Sequence, residues 1–178
     1  MKDNYEASLA LVLKSEGGFT DDPRDSGNHL PDGRAGCTNL GVTQAAWESY
    51  LGHPVSTADM KTLTPEKVAP FYKLKYWNPT YGDVLPVGVD YLLFDFGVNS
   101  GPGNSVKIFQ GAIGCVPDGA IGPNTMAVIN KTDPKVLIDK FSRAKENFYK
   151  SLKTFPVFGA GWLKRVNDVE QNALKMIG

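Results

Sequence analysis

Apolar residues recur every three or four positions along most of this chain, which is the spacing of helices that bury one face. The pattern predicts helices at the N-terminus, over Gln44–Leu51, from Pro65 onward, and across most of residues 102–178. Val89–Ser100 is apolar nearly all round, so it is predicted to be a buried central helix. Residues 37–43 lack the helical period and are predicted to form a short strand. The chain is therefore predicted to be mainly helical.

The first predicted helix carries an acidic residue on its apolar face. Tyr5, Leu9 and Val12 mark that face, Glu16 falls on it in the last turn, and Gly17-Gly18 end the helix. Desolvation and the negative end of the helix dipole both favour the protonated carboxyl. A carboxyl that stays protonated near neutral pH is suited to general acid catalysis. An ordinary solvent-facing glutamate would show the same spacing, so both interpretations stay open.

A turn-rich segment with a second carboxylate follows this helix. Residues 19–27 are rich in Gly, Pro and Asp, and Asp25 lies nine positions after Glu16. Thr43 then provides a good N-cap for the next helix. A glutamate that closes a helix, an aspartate in a turn and a nearby threonine are suited to cleavage of a glycosidic bond. In that reaction one carboxyl protonates the leaving oxygen, and a second group handles water or the oxocarbenium ion.

Residues 16–44 resemble glycoside hydrolase family 108, which comprises bacterial and phage N-acetylmuramidases with a lysozyme-like fold. The resemblance implies a mainly α fold (α+β lysozyme-like), a helical bundle with a small β-hairpin after the first helix. It also implies that Glu16 is the catalytic acid, and that Asp25 and Thr38 match the Asp and Thr of phage-type lysozymes. Family members run almost directly from Asp-Pro-Gly-Gly to Thr-Asn, whereas this chain inserts residues 28–36, predicted to be a surface loop. The matching motifs are Glu16-Gly17-Gly18-Phe19, Asp22-Pro23 with Asp25, and Thr38-Asn39-Leu40-Gly41-Val42-Thr43-Gln44.

Several polar and aromatic residues are expected to contact the substrate. Trp77 lies at a helix break, where it is either core or a platform for a sugar ring. Asp95 and Asn99 share one face of the central helix, and family members carry a similar run there. Asp95 can equally be a polar clamp that holds neighbouring structure. The predicted substrate-binding residues are Asn39, Gln44, Trp77, Asn78, Asp95 and Asn99.

A second motif lies in the C-terminal half of the chain. The run Asp118-Gly-Ala-Ile-Gly-Pro-Asn-Thr125 resembles the loop of peptidoglycan-binding helical modules. The resemblance implies a lysozyme-like catalytic part over residues 1–100 and a peptidoglycan-binding-like segment over residues 101–178. The apolar stripes in residues 135–178 need a partner surface, so this segment is expected to pack on the catalytic part as one folded unit.

Composition excludes several other classes of protein. The net charge is zero, although residues 1–134 carry 10 basic against 15 acidic side chains, and residues 135–178 carry 9 against 4. A basic segment of this kind is compatible with affinity for anionic polymers or membranes and with a solvated helix face, which is the favoured interpretation. Nucleic acid is a poor candidate, because the chain shows no recognisable binding motif for it. Neither a membrane-spanning run nor a secretory signal is recognisable. Cys37 and Cys115 are expected to be separate thiols, and His29 and His53 are too isolated for a metal site. We expect neither metal nor cofactor.

The family resemblance implies a lysozyme that hydrolyses the β-1,4 bond between N-acetylmuramic acid and N-acetylglucosamine. The partner would be the glycan strands of peptidoglycan, bound by a monomer that does not insert stably into membranes. The enzyme would be made in the bacterial cytoplasm and would act in the periplasm or cell wall. Two alternatives stay open: a lytic transglycosylase acting on the same bond, and a non-catalytic wall-binding protein with this fold.

Overall fold

The computed structural model describes residues 4–178. It confirms the predicted fold class, because the chain is mainly helical and a two-stranded antiparallel hairpin follows the first helix. A 3₁₀ turn over Ser26–Asn28 precedes the hairpin, and a π-helical turn over Lys73–Trp77 continues the fourth helix. The helices are α1 (Tyr5–Ser15), α2 (Gln44–Leu51), α3 (Thr57–Lys61), α4 (Pro65–Tyr72), α5 (Val89–Ser100), α6 (Pro102–Ala112), α7 (Pro123–Lys131), α8 (Pro134–Ser151) and α9 (Phe155–Ile177); the strands are β1 (Thr38–Asn39) and β2 (Val42–Thr43).

The described chain divides into two compact units. One contains residues 6–75, and the other contains residues 4–5 together with residues 76–178. The first unit carries the hairpin and α2 to α4, while the second carries α5 to α9. The predicted boundary between residues 100 and 101 falls inside the second unit, after α5, and the division into catalytic and wall-binding parts stays a prediction.

Local capping explains the helix boundaries in the first unit. The Thr43 hydroxyl accepts a hydrogen bond from the Ala46 amide at 3.2 Å, so α2 begins where the sequence predicts. It ends at Gly52, whose left-handed φ of 79° is accessible to glycine without strain. The short α3 was not predicted, although Ser56 and Asp59 form a reciprocal capping box at its start.

The core of the first unit is an aromatic cluster. The rings of Trp47, Tyr50 and Phe71 lie 5.3 to 5.9 Å apart, with edge-on or tilted contacts that suit the charge distribution of aromatic faces. Val68 and Met60 are fully buried in the same unit. This cluster fixes α2 against α4.

Helix α5 is the centre of the second unit, as its apolar pattern predicts. Residues 89–97 are all buried, and α5 packs against α6, α8 and α9. Phe96 contacts Phe141 and Tyr149 of α8 edge-on, with ring centroids 5.8 Å apart in both pairs. The two C-terminal helices therefore cover α5.

A buried ion cluster connects these helices. Asp95 of α5 is 2% exposed, and its carboxylate lies 2.9 Å from the Arg165 guanidinium and 3.7 Å from the Lys145 ammonium. Burial lowers the pKa of Lys145, because the charged form loses its hydration. A buried carboxylate needs such partners, since removing them would leave an uncompensated charge. Asp95 thus clamps three helices, whereas its predicted substrate contact stays a prediction.

The two cysteines do not form a disulfide. Cys37 is buried and Cys115 is half-buried, and both are free thiols, as expected. Among the described residues 4–178, helices of sufficient length and apolarity to cross a membrane are not found.

A second buried carboxylate lies in the first turn of α5. Asp90 is 2% exposed and accepts hydrogen bonds from the backbone amides of Gly88 and Tyr91 and from the Asn4 side chain. Desolvation outweighs these bonds and raises the pKa of Asp90 to about 6. The folded protein therefore holds this proton more tightly than the unfolded chain does between about pH 4 and pH 6.

We predict that the wild type loses stability as pH rises from about 4 to 6, and that Asp90→Asn does not show this loss. Asparagine keeps the acceptor for the two amides but carries no titrating proton. The difference in unfolding free energy between the wild type and Asp90→Asn should change by on the order of 2–3 kcal/mol across this window. Denaturant unfolding between pH 4 and 7.5 measures it.

Asp118→Asn is the matched control. Hydrogen bonds from the Ala120 amide and the Gln110 side chain lower the pKa of Asp118. The ionised Asp118 carboxylate therefore stabilises the fold above about pH 4. As pH rises, the wild type should gain stability relative to Asp118→Asn, which is opposite in sign to its change relative to Asp90→Asn. Parallel stability curves for Asp90→Asn and the wild type would contradict the prediction.

Candidate active site

Glu16 lies directly after the last residue of α1. Its amide still donates to the Val12 carbonyl at 3.1 Å, so the residue continues the helical hydrogen-bond pattern. The side chain is half-buried, and the exposed Gly17-Gly18 pair follows it. The structure thus places this carboxyl at the helix end, as the sequence predicts.

The hairpin turn lies against the Glu16 carboxyl. Leu40 and Gly41 connect the two strands with φ angles of 51° and 73°, the pattern of a type I′ turn. A Cβ atom placed on Gly41 would lie 2.7 Å from Glu16 Oε2 and 2.6 Å from the Tyr72 hydroxyl oxygen. Only glycine allows this close approach, so the hairpin backbone forms one wall beside the acid.

Tyr72 is the third member of this group. Its side chain is 1% exposed, and its hydroxyl donates to the Leu40 carbonyl at 2.8 Å. A phenol has one proton, so towards any other neighbour this oxygen acts as an acceptor. The Tyr72 oxygen and Glu16 Oε2 both lie within 2.7 Å of the point that a Gly41 Cβ atom would occupy, so the two groups approach the same turn.

Asp25 is exposed and caps the 3₁₀ turn that follows it. Its Oδ1 accepts a hydrogen bond from the Gly27 amide at 2.9 Å, and its own amide donates to the Asp22 carbonyl at 3.1 Å. This local network fixes the carboxylate through the backbone, which is typical of Asp at a turn.

Thr38 is held at the same turn by a buried asparagine. Its hydroxyl donates to Asn28 Oδ1 at 2.8 Å, and the side-chain amide of Asn28 donates to the Asp22 carbonyl at 3.0 Å. A Cβ atom on Gly27 would lie 3.3 Å from Asp25 Oδ1 and 3.8 Å from Thr38 Oγ1. Asp25 Oδ1 and Thr38 Oγ1 therefore both lie close to Gly27.

A backbone bridge fixes the strand that carries Thr38. Thr20 and Thr38 exchange two hydrogen bonds of 2.9 and 2.8 Å, and Thr38 pairs with Thr43 across the hairpin. The sequence predicts one strand over residues 37–43, whereas the structure folds these residues into two strands around the Leu40-Gly41 turn. The bridge ties the chain just after Glu16 to the strand that precedes the turn.

The inserted residues 28–36 form an ordered loop that is mostly exposed. His29 and Ala35 form a backbone bridge, while Asn28 and Leu30 are buried beneath it. Arg34 pairs with Asp32 at 2.7 Å and with Glu48 of α2 at 2.9 Å. Within residues 4–178, a cluster of three metal-ligating side chains is not found.

The two other predicted site residues of this unit are buried. The Asn39 side chain donates to the Met60 carbonyl at 2.9 Å. Gln44 donates to the Val55 carbonyl at 2.8 Å and accepts from the Cys37 thiol at 3.3 Å. These bonds position the hairpin and α2, and a substrate contact by either residue stays a prediction.

The remaining predicted residues belong to the second unit. Trp77 is 1% exposed, its indole donates to Asp83 at 2.7 Å, and its ring packs against Phe94. Asn78 is exposed. Asn99 is also exposed, and its amide donates to the Asp95 carbonyl at 2.7 Å. For these residues, too, substrate binding stays a prediction.

Sequence reasoning did not identify Asn28, Gly41 and Tyr72 as site residues. Tyr72 belongs to an apolar helical stripe, which indicates core and says nothing about its hydroxyl. Asn28 lies in the insertion, where the family motif offers no counterpart. The Asn39-Leu40-Gly41 run was the available signal, because Gly after a short strand is typical of a hairpin turn.

Comparison with known proteins agrees with this arrangement. The model of the family described as Glycosyl hydrolase 108 matches residues 9–101, and the model described as Predicted Peptidoglycan domain matches residues 104–167. None of the curated proteins matches the chain. The solved structure of Brucella abortus SagA is similar, with 37% identity and a TM-score of 0.80; the match covers 97% of this chain and 95% of that one. Because the first family model spans more than half of the residues, this chain belongs to glycosyl hydrolase family 108.

Proposed function

We propose that this chain hydrolyses the β-1,4 bond between N-acetylmuramic acid and N-acetylglucosamine in peptidoglycan, with Glu16 as the general acid. The main supporting observation is that the Glu16 carboxyl and the Tyr72 hydroxyl both lie close to the Gly41 turn. Membership of a glycoside hydrolase family supports the reaction type. The match to a peptidoglycan domain supports the polymer.

Glu16 would donate its proton to the glycosidic oxygen. The bond between that oxygen and C1 of N-acetylmuramic acid then breaks, and its electrons stay on the oxygen that the proton neutralises. Tyr72 would support this role: its hydroxyl proton binds the Leu40 carbonyl, so at the shared turn its oxygen is able to accept the Glu16 proton in a hydrogen bond. Such a bond would keep the acid in the form that the reaction needs.

Asp25 and Thr38 would handle the incoming water. Because the Thr38 hydroxyl donates to Asn28, its oxygen acts on a water molecule as an acceptor. A water that directs one hydrogen to Thr38 and the other to Asp25 turns a lone pair towards C1. Its oxygen bonds to C1, Asp25 accepts the released proton, and the product is a reducing N-acetylmuramic acid end.

The water-binding pair favours hydrolysis over the transglycosylase alternative. A lytic transglycosylase needs the acid alone, because an internal hydroxyl of the muramic acid attacks C1 and leaves an anhydro end. Asp25 Oδ1 and Thr38 Oγ1 both lie within 4 Å of the point that a Gly27 Cβ atom would occupy, which supports their sharing one water molecule. Mass spectra of digested peptidoglycan distinguish a reducing end from an anhydro end, which is ~18 mass units lighter by the loss of one water. A protein that only binds the wall yields neither product.

The proposed substrate implies where the enzyme acts. After synthesis in the cytoplasm the protein would have to reach the periplasm or cell wall, and it would act there as a bacteriolytic endolysin. Addition of the protein to bacteria with permeabilised outer membranes should lower their turbidity. Unchanged turbidity alongside cleavage of purified peptidoglycan would contradict the lytic role while leaving the chemistry intact.

We predict that Glu16→Gln lowers turnover of purified peptidoglycan by at least 10²-fold, because general acid catalysis supplies ~10²–10⁴-fold. Glutamine keeps the shape but has no transferable proton. Release of reducing ends measures turnover, and sedimentation with the insoluble polymer measures binding, which should persist. Glu66→Gln, at an exposed glutamate of α4, is the matched control. Turnover of Glu16→Gln above about a tenth of wild type would exclude Glu16 as the acid.

We predict that Tyr72→Phe moves the alkaline limb of the pH–rate profile to lower pH. One hydrogen bond to the protonated acid contributes ~1 kcal/mol, so the shift should be about half to one pH unit. Tyr50→Phe, at a half-buried tyrosine of the same aromatic cluster, should leave the limb in place. A Tyr72→Phe profile parallel to wild type at every pH would show that Tyr72 acts only on the hairpin turn.

A further inference from the structure

A pocket of about 440 Å³ lies in the second unit. Residues from the ends of α5 and α6 and from α8 and α9 line it. Its volume is in the range of sites that bind small ligands or single groups of a polymer. Glu16, Asp25 and Thr38 are not among its lining residues.

One wall of this pocket is aromatic. The rings of Tyr149 and Trp162 are stacked, with centroids 5.2 Å apart and an interplanar angle of 26°. Phe148 lies 5.6 Å from Tyr149, and Phe158 lies 5.7 Å from Trp162. The Phe158 side chain is 54% exposed, so the aromatic surface continues to the rim. Such a surface suits the apolar face of a flat or ring-shaped ligand.

The other lining residues include uncharged polar groups. Asn99 and Asn104 contribute side-chain amides, and Ser100 hydrogen-bonds to the Tyr149 hydroxyl. The Asn99 amide is held by the Asp95 carbonyl at 2.7 Å. An amide carries both donors and an acceptor, so it can bind hydroxyl and acetamido groups.

The single charged residue that lines the pocket is Arg165. Its guanidinium donates to Asp95 at 2.9 Å, and its side chain is 26% exposed while Asp95 is 2% exposed. The buried carboxylate therefore positions the guanidinium, and it also faces the Lys145 ammonium at 3.7 Å. Most of the lining is aromatic faces and uncharged polar groups, so a ligand with a ring face and uncharged polar groups matches most of the pocket.

From these contacts we infer that the pocket binds an N-acetylated sugar ring of the peptidoglycan glycan strand. The ring would stack on the Trp162 side, and its acetamido and hydroxyl groups would bind Asn99 and Asn104. This inference rests on the proposed function for the identity of the polymer, and it adds the place and the chemical group that are recognised. The stem peptide carries no ring that could stack on the aromatic wall, so it matches the pocket less well. Residues 104–167, which match the peptidoglycan domain, supply most of the lining.

A titration followed by nuclear magnetic resonance tests the ligand directly. The probes are the N-acetylglucosamine tetramer and, separately, a free alanine–glutamate–diaminopimelate stem peptide, each added to the full chain. The tetramer should shift the Trp162 indole signal and the Asn104 side-chain amide signal, and the peptide should shift neither. Unmoved signals with the tetramer at millimolar concentration, or shifts caused by the peptide alone, would overturn the inference.

Variants extend the test to the polymer. In the Glu16→Gln background, Asn104→Ala should weaken sedimentation with peptidoglycan by about three- to tenfold, as the loss of one hydrogen-bonding group predicts. Trp162→Ala should weaken it by roughly tenfold or more, as for a central aromatic anchor, and Trp162→Phe should restore part of the binding. Asn130→Ala, on the exposed side of α7, is the matched control.

The outcomes separate this inference from the proposed function. If Trp162→Ala loses its circular dichroism signal, Asn104→Ala alone decides, because its side chain is not part of the buried core. If Asn104→Ala sediments with peptidoglycan as strongly as the protein with Asn104 intact, the inference that this pocket binds the sugar is wrong. If Glu16→Gln retains full turnover while Asn104→Ala binds weakly, the assignment of Glu16 as the general acid is wrong and the inference about the pocket is still supported.

Discussion

The candidate active site depends on the missing side chain of Gly41. Glu16 Oε2 and the Tyr72 hydroxyl both lie within 3 Å of the point that a Cβ atom would occupy. Any other residue would push the acid and the phenol away from the turn, and it would also have to adopt a φ of 73°. The hairpin is only two residues long in each strand, so its position depends on contacts with the rest of the unit. These are the contacts around Gly41, the Tyr72–Leu40 bond, the Thr20–Thr38 bridge and the Asn39–Met60 bond. One glycine therefore sets the surroundings of the acid.

The second unit depends on a different constraint, the burial of Asp95. Its carboxylate faces two cations from α8 and α9, so the three helices share one electrostatic requirement. Such an arrangement adds little net stability compared with an apolar core, but removing one partner would be costly. It also holds Arg165, which is one of the residues that line the 440 Å³ pocket. The same carboxylate thus links helix packing to the wall of that pocket.

Sequence patterns predict what depends on local rules. The limits of α2 follow from Thr43 and Gly52, and the burial of α5 follows from its all-apolar surface. The position of Glu16 at the helix end follows from the two glycines after it. The hairpin turn was less predictable, because Leu40 adopts a left-handed φ that leucine rarely takes.

Contacts between distant residues are beyond such rules. The partners of Asp95 lie 50 and 70 positions away, and nothing in an apolar stripe indicates them. Tyr72 reaches the hairpin only because the first unit folds α4 against it. Periodicity shows which face of a helix is buried, but it does not show which polar atom that face presents to a site.

The Thr20–Thr38 bridge has an evolutionary consequence. It closes the segment between these residues at its base with two backbone hydrogen bonds, so the ends of the segment stay together whatever its length. Doubling a flexible loop costs only about 0.6 kcal/mol of closure entropy. The loop tip over residues 29–35 can therefore lengthen or shorten while the bridge and the bond to Asn28 still hold Thr38 in place. The scaffold thus separates a loop tip that can diversify between lineages from the strand and the turn that carry Thr38 and Asp25.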